Sequence, residues 1–253
     1  MREILFGYHV TQMPNIVTNI DHERFRPSFA PLDAVDLTRF DLVVPLRLDQ
    51  FDAVRDVAEG TERRAVVPTA ELVELIDDKL AFNHWLIEHG FGAHVPELFK
   101  GPGAYPAIRK MRHGDWGMGI TLLREAGDED GPDPEGSFRQ RAITGEHEDV
   151  LHLLRVDGRI RFSLCYRYAM GKSLSVRGQQ DAAQSMAPAD PAPAWDLCIA
   201  ILDALGFEGT CCFNYKLEGN HVWLLELNPR FGGSLAGGVT DYVAAHLQAL
   251  GRP

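Results

Sequence analysis

The chain has 253 residues, 45% hydrophobic and 24% charged, with Asp+Glu 36 against Lys+Arg 25 and a formal net charge of -11. Such a composition describes a globular protein with room for a sizeable core, and its acidity argues against nucleic acid or anionic membrane as partners. No apolar run approaches the ~20 residues of a membrane span. The opening "MREILFGYHV" lacks the apolar stretch of a secretion signal, and Cys165, Cys198, Cys211 and Cys212 show no C-x-x-C pairing, so reduced thiols in a cytoplasmic protein are expected.

In chain order, "EILFGYHV" and "FDLVVPL" read as strands, "DQFDAVRDVAEG" as a helix closed by Gly60, and "RAVVP" as a further strand. From Pro68, "TAELVELIDDKLAFNHWLIEHGF" reads as one helical stretch with Thr69 as N-cap and Gly90 as its stop. "YPAIRKM" is a strand, and "RHGDWGMGITLL" is a glycine-bearing loop running into another. The acidic, Gly/Pro-rich "AGDEDGPDPEGS" reads as a mobile surface connection. "SFRQRAI", "VLHLLRV" and "RIRFSLCYRY" are expected as antiparallel strands, the last two joined by a turn at "VDGR". After the loop "GKSLSVRGQQDAAQSMAPADPAPA" come a helix, "WDLCIAILDALG", and two strands, "TCCFNYKLE" and "HVWLLELN", joined at Gly219. This alternation of short apolar runs and helical patterns is that of an α/β or α+β fold.

The last hairpin carries the clearest chemistry. Folding on Gly219 sets Asn214 across from Glu226 and Asn228, and strand alternation puts residues 226 and 228 on one face. A carboxylate and two amide oxygens make either a hard-oxygen set suited to Mg²⁺, with Arg230 adding a planar fork for phosphate or an oxyanion, or a sheet edge whose polar residues face water. Lys110 sits among apolar neighbours on its strand, placed either to snorkel to water or to reach a phosphate.

The order and spacing of "DDKL", "HVPEL", "YPAIRKM", "HGDWGMG", "RQRAITGEHED" and "CCFNYKLEGNHVWLLELNPRFGGSL" resemble the ATP-grasp superfamily over roughly residues 68–240. "ELNPRFGGS" is the most specific element, and it is more similar to the carbamoyl-phosphate-synthase and biotin-carboxylase branch than to the D-alanine ligase branch. The resemblance implies an α+β fold with two αβ lobes clasping ATP over residues 68–253, the small lobe at about 95–145, preceded by a reduced αβ lobe over 1–67.

Carried over residue by residue, the resemblance places Lys79 and Lys110 on the nucleotide phosphates. Residues 113–119, with Gly114, Gly117 and Gly119, would fold over them. Gln140 would lie near the adenine amino group, with Ala142 and Ile143 as the hinge. Glu226, Asn228 and Asn214 would hold Mg²⁺ or Mn²⁺, with Arg230 on the acyl phosphate and Lys172, from the loop that also holds Arg167 and Arg177, on the γ-phosphate or substrate.

The chain departs from the pattern at Asn214, where relatives often carry Asp, Glu or Gln. It departs again at His147, where a ribose-holding acid is usual and Glu146 or, by preference, Glu148 would substitute. The implied activity is ligation of a small carboxylate to an amine. An ATP-grasp kinase or a carboxylase-type enzyme using bicarbonate or ammonia, and a degenerate nucleotide-binding regulator, are the alternatives. Exposed strands in the short first lobe invite a homodimer.

Overall fold

A computed structural model describes residues 1–114, 117–129, 131–178 and 180–252. The first unit comprises β1 (Arg2–Gly7), α1 (Met13–Asn19), β2 (Phe25–Ala30), β3 (Leu42–Val44) and α2 (Phe51–Ala58). Its three strands form a parallel sheet in the order β2-β1-β3. Ile4, Leu5 and Phe6 are all fully buried, because β1 is covered on both faces, as parallel sheets require. Leu5 packs with Val43 and Val54, while Ile4 and Phe6 face Ile16 and Tyr242.

Two expectations change here. β2, "FRPSFA", gave no strand signal because Pro27 and its polar neighbours mark an edge. "RAVVP" is not a strand: beside β3 it contributes the Arg64 carbonyl, which accepts from Val43 N (2.7 Å).

The expected long helix is two, α3 (Ala70–Asp77) and α4 (Lys79–Leu86). Thr69 caps the first, accepting from Leu72 N. Asp78 adopts extended dihedrals and its carboxylate accepts from Leu80 N and Ala81 N (3.2 and 3.1 Å), so it caps α4 and breaks the run. Arg112 forks onto the same carboxylate and holds it well below the usual range against the opposing effect of burial. Lys79 therefore opens a helix in the cleft instead of lying mid-helix.

A four-stranded antiparallel sheet follows, from β4 (Leu98–Phe99), β5 (Ala107–Met111), β6 (Thr121–Leu123) and β7 (Ser137–Arg141), in the order β4-β7-β5-β6. The acidic segment expected to be a loose connection is tied to this sheet. Buried Arg139 donates to Glu129 (2.5 and 2.7 Å) and Asp133 (2.7 and 2.6 Å), and Arg109 also reaches Asp133. The bonds from Arg139 hold Glu129 down to about 2.

The rest of the chain gives β8 (His147–Val156), β9 (Arg159–Ala169), β10 (Ser185–Pro188), α5 (Ala192–Leu205), β11 (Gly209–Glu218), β12 (His221–Asn228) and α6 (Val239–Ala249). Its strands make a five-stranded antiparallel sheet, β10-β9-β8-β11-β12. β7 belongs to the other sheet, so "SFRQRAI" does not pair with "VLHLLRV". β10 lies within the stretch expected to be a loop. α6, which the sequence pattern did not announce, buries Val239, Tyr242, Val243, His246 and Leu247 at helical spacing.

Alternation gives the larger sheet two distinct faces. Leu151, Leu153, Cys211, Phe213 and Tyr215 pack against Phe82, Cys198, Ile201 and Leu202 of the helices. On the other face, Leu154 and Val156 join the core of the first unit with Phe231, Leu235 and Tyr242, while Glu148, Val150 and His152 line a cavity. Helices mixed with two separate antiparallel sheets and one small parallel sheet agree with the expected α+β class.

Candidate active site

The metal-donor face depends on a break in the β11–β12 ladder. Asn214 pairs with Glu226 but Tyr215 with Leu224, so Leu225 is an extra residue, a β-bulge. Val222 and Leu224 face the helical core. In an unbroken strand Glu226 and Asn228 would follow them there, because side chains alternate. The bulge reverses the parity: Leu227 takes the core position, and Glu226 and Asn228 turn to the cavity with Asn214 and Cys212. The Leu225 carbonyl accepts from Lys110 Nζ (3.1 Å), which ties the bulge to β5.

The cavity is about 640 Å³ and is bounded by the first unit, β5, the site face of the large sheet and residues 232–237. A second, of about 630 Å³, shares Thr11, Asn228 and Arg230 with it and is lined by Lys79 and Gly114.

Their charges are sorted. Asn228 Nδ2 donates to Glu226 Oε1 (2.9 Å), and Asn214 Nδ2 donates to Glu148 Oε1 (3.2 Å). Arg177 Nε donates to the same Glu148 oxygen (2.7 Å) and its guanidinium stacks on Tyr168. Burial alone would raise Glu226, but Lys79, the Asn228 amide, Lys110 and Arg177 bring it below the ordinary carboxylate value. Burial pushes Lys110 down to about 8, opposed by Glu226 and Glu148 and reinforced by Lys79. Lys79 Nζ donates to the Gly114 carbonyl at the start of the glycine loop, whose Asp115 and Trp116 lie outside the described residues.

The structure thus brings together Lys79, Lys110, Gly114, Gly117, Glu148, Asn214, Glu226, Asn228 and Arg230. Several predicted residues lie elsewhere. Lys172 is exposed and its ammonium pairs with Asp181, which leaves Arg177 as the cation of that loop that enters the cavity. Gln140 is buried, but its Nε2 donates to the Pro96 carbonyl (3.2 Å), and it lines neither cavity.

Ala142 and Ile143 are buried at the junction of the two sheets. There Leu174 and Val176 pack with Ala142, Ile108 and Leu122. Lys216, unforeseen from sequence, donates to the Ile143 and Gly145 carbonyls (3.4 and 3.3 Å). Gly119 turns at φ +67 against Met111 and lines neither cavity.

Gln12 also reaches the cavity unannounced by the sequence pattern, and so does His152, which lies at no metal-ligand spacing and reads from sequence as a core or surface histidine. His152 Nε2 meets Ser234 Oγ (2.8 Å), and burial with help from Arg177 pushes the ring down to about 3, so it is neutral at pH 7. Its location on an apolar strand, two residues after Val150, was the available signal.

The donor set fits a hard divalent cation. It offers the Glu226 carboxylate and amide oxygens of Asn214 and Asn228, with Glu148 adjoining, and the one thiol beside it, Cys212, is held protonated by burial at about 11. Among the described residues no cluster of three His, Cys, Asp or Glu forms a metal site, so amide oxygens are needed to complete this one.

Two sheets facing each other across a cation-lined cleft, closed at one side by a parallel αβ unit, define the ATP-grasp fold, and this chain has it. Solved structures with this architecture include an N5-carboxyaminoimidazole synthetase from Staphylococcus aureus complexed with ADP. It is 15% identical with a TM-score of 0.66, covering 100% of this chain and 78% of that one. An L-amino acid ligase from Bacillus licheniformis matches at 14% identity and TM-score 0.65, with 99% and 74% covered. A D-alanine–D-alanine ligase from Bacillus anthracis complexed with ATP matches at 11% and 0.60, with 99% and 96% covered. No family model matches the sequence, and no curated protein aligns with it significantly. Among the described residues no helix is long and apolar enough to cross a membrane.

Proposed function

We propose that this protein is an ATP-dependent ligase that activates a small carboxylate as an acyl phosphate and couples it to an amine, releasing ADP and phosphate. The observation that carries the reading is the sorted charge of the cleft. One carboxylate–amide donor set, Glu226, Asn228 and Asn214, is ringed by Lys79, Lys110, Arg177 and Arg230. Phosphoryl transfer needs this kind of site, since positioning and charge neutralisation supply most of the rate. The ATP and ADP complexes among the structural relatives support nucleotide as the phosphoryl source.

In this reading Lys79 and Lys110 hold the transferring phosphoryl group. Glu226, Asn228 and Asn214 would hold Mg²⁺ or Mn²⁺, which supplies Lewis-acid neutralisation of the phosphate oxygens when bound. A substrate carboxylate oxygen attacks the γ-phosphorus and ADP leaves. The amine nitrogen then attacks the acyl carbon, the C–O bond to phosphate breaks, and the amine loses a proton. Arg230 steadies the anion formed on the acyl oxygen. We assign residues 1–67 to the reduced N-terminal αβ lobe and 68–253 to the domain that clasps ATP, its small lobe at about 95–145 and its large lobe the remainder.

Pooled acids and amines screened for ATP-dependent phosphate release, with mass spectrometry of products, test the proposal. Release that requires both an acid and an amine supports it, and release with bicarbonate or ammonia alone replaces it. One observation favours a second reading, a nucleotide-binding regulator without turnover: Leu174 and Val176 pack on Ala142, beside the expected base contacts. Stabilisation by Mg²⁺–ATP with no ADP formed across the whole panel would establish that reading instead.

A further inference from the structure

Native proteins rarely leave buried polar atoms unpartnered, so such atoms on residues that line a cavity point to what a ligand there would supply. Among the described residues, Gln12 leaves both its Nε2 and its Oε1 without a partner while only 2% exposed. His152 Nδ1 and Ser175 Oγ are also unpartnered, and all three residues line the larger cavity. Gln12 precedes α1, yet its side chain makes no capping bond there, so the amide is not used by the helix. Its companions from the first unit along this wall, Thr11, Asn15 and Asn19, are neutral. The cavity's charged side chains, Lys110, Glu148, Arg177, Glu226 and Arg230, come from the strands and loops of the other two sheets.

The chemistry of the wall selects among ligands. A primary amide presents an N–H donor and a C=O acceptor side by side. A carboxylate would satisfy the N–H and set an anion against the Gln12 oxygen. An ammonium would satisfy the oxygen and leave the N–H unmet, and an apolar group would satisfy neither. A second amide returns both bonds at once. We infer that Gln12 is the specificity-determining residue for a substrate bearing a neutral primary carboxamide, whose N–H and C=O lie side by side as those of Gln12 do. The inference rests on the ligase reading only in calling that ligand a substrate.

The test is titration calorimetry on the full chain saturated with Mg²⁺ and a non-hydrolysable ATP analogue. The ligands are L-glutamine and L-asparagine, set against L-glutamate, L-lysine and L-norleucine. At least one amide-bearing ligand should bind roughly tenfold or more tightly than every charged or apolar one, because a site built to hydrogen-bond a group rejects analogues lacking it. In Gln12→Leu that preference should fall to within about threefold, with nucleotide affinity unchanged and the thermal midpoint equal or higher, since an unpartnered buried amide is removed.

Tightest binding by a charged or apolar ligand, no binding by any amide, or a uniform loss across all ligands in Gln12→Leu would overturn the inference. Phosphate release with ATP is scored separately. Amide-selective binding without release refutes the ligase reading and leaves this one standing, and release without amide preference does the reverse.

Discussion

Replacing Lys110 by methionine should stabilise the protein free of nucleotide while removing its response to nucleotide. The ammonium is buried, and its value of about 8, against 10.5 for the free side chain, means that the native state resists carrying this charge. At pH 7 the group is protonated in both folded and unfolded chains, so the whole shift acts against folding. It corresponds to about 3 kcal/mol, present below pH 8 and gone above 10.5. Methionine fills a similar volume without a charge. It forfeits the bond to the Leu225 carbonyl, worth about 1 kcal/mol, and leaves Glu226 with Lys79 and Arg177 as compensating cations. The net gain is about 2 kcal/mol, or roughly 4–8 °C in thermal midpoint for a chain of this size.

Ligand at a hundredfold its dissociation constant would stabilise the wild type by about 2.7 kcal/mol. Denaturation of Lys110→Met with and without Mg²⁺–ATP reads both effects in one experiment. A variant less stable than wild type without nucleotide, or one that gains as much from Mg²⁺–ATP as wild type does, would refute the reasoning. The first result removes the charge-burial argument and the second removes the phosphate role.

Three further outcomes follow from other parts of the molecule. Glu226→Gln should lower ADP formation by about 100-fold or more, with stability within about 1 kcal/mol of wild type, because no cavity is opened; steady-state kinetics and melting check the two halves. His246 is buried, pushed down to about 3 from 6.5, so the unfolded chain binds its proton first and stability falls as pH drops below 6.5. Between pH 7 and 5 this one group should cost about 2 kcal/mol, and urea unfolding of His246→Gln should show a correspondingly shallower pH dependence. Arg139→Gln should free the segment around Glu129 and Asp133 from the sheet, and thermolysin at neutral pH should then cut there faster than in wild type.

Much of the site was readable from residue order because it depends on short-range periodicity. β5 holds Ile108 and Lys110 two apart, and both reach the cavity. The turn at Gly219 brings Asn214 opposite Glu226. Two other features escaped local reading for physical reasons. A cap can act inside an apparently continuous helix: Asp78 breaks the run by capping Leu80 N and Ala81 N, and Arg112, just past the end of β5, also donates to its carboxylate. Loop cations cannot be ranked by sequence, since what separates Lys172 from Arg177 is the partner each finds in the fold, Asp181 for the exposed lysine and Glu148 for the arginine that lines the cavity.

What residue order determined is therefore most of the strands and helices, though not β2, β10 or α6, together with the hairpin and the charge types available, since those follow from periodicity, turn chemistry and composition. Which face the charges meet was decided by tertiary structure. The bulge at Leu225 turns Glu226 and Asn228 from the helical core to the cleft, and nothing within β12 shows it; the extra residue exists only relative to β11. Gln12 lies more than two hundred residues from Arg230 in sequence and lines the same cavity, because the parallel sheet and α6 share one core. Long-range packing of that kind leaves no local periodic trace, so only the folded chain displays it.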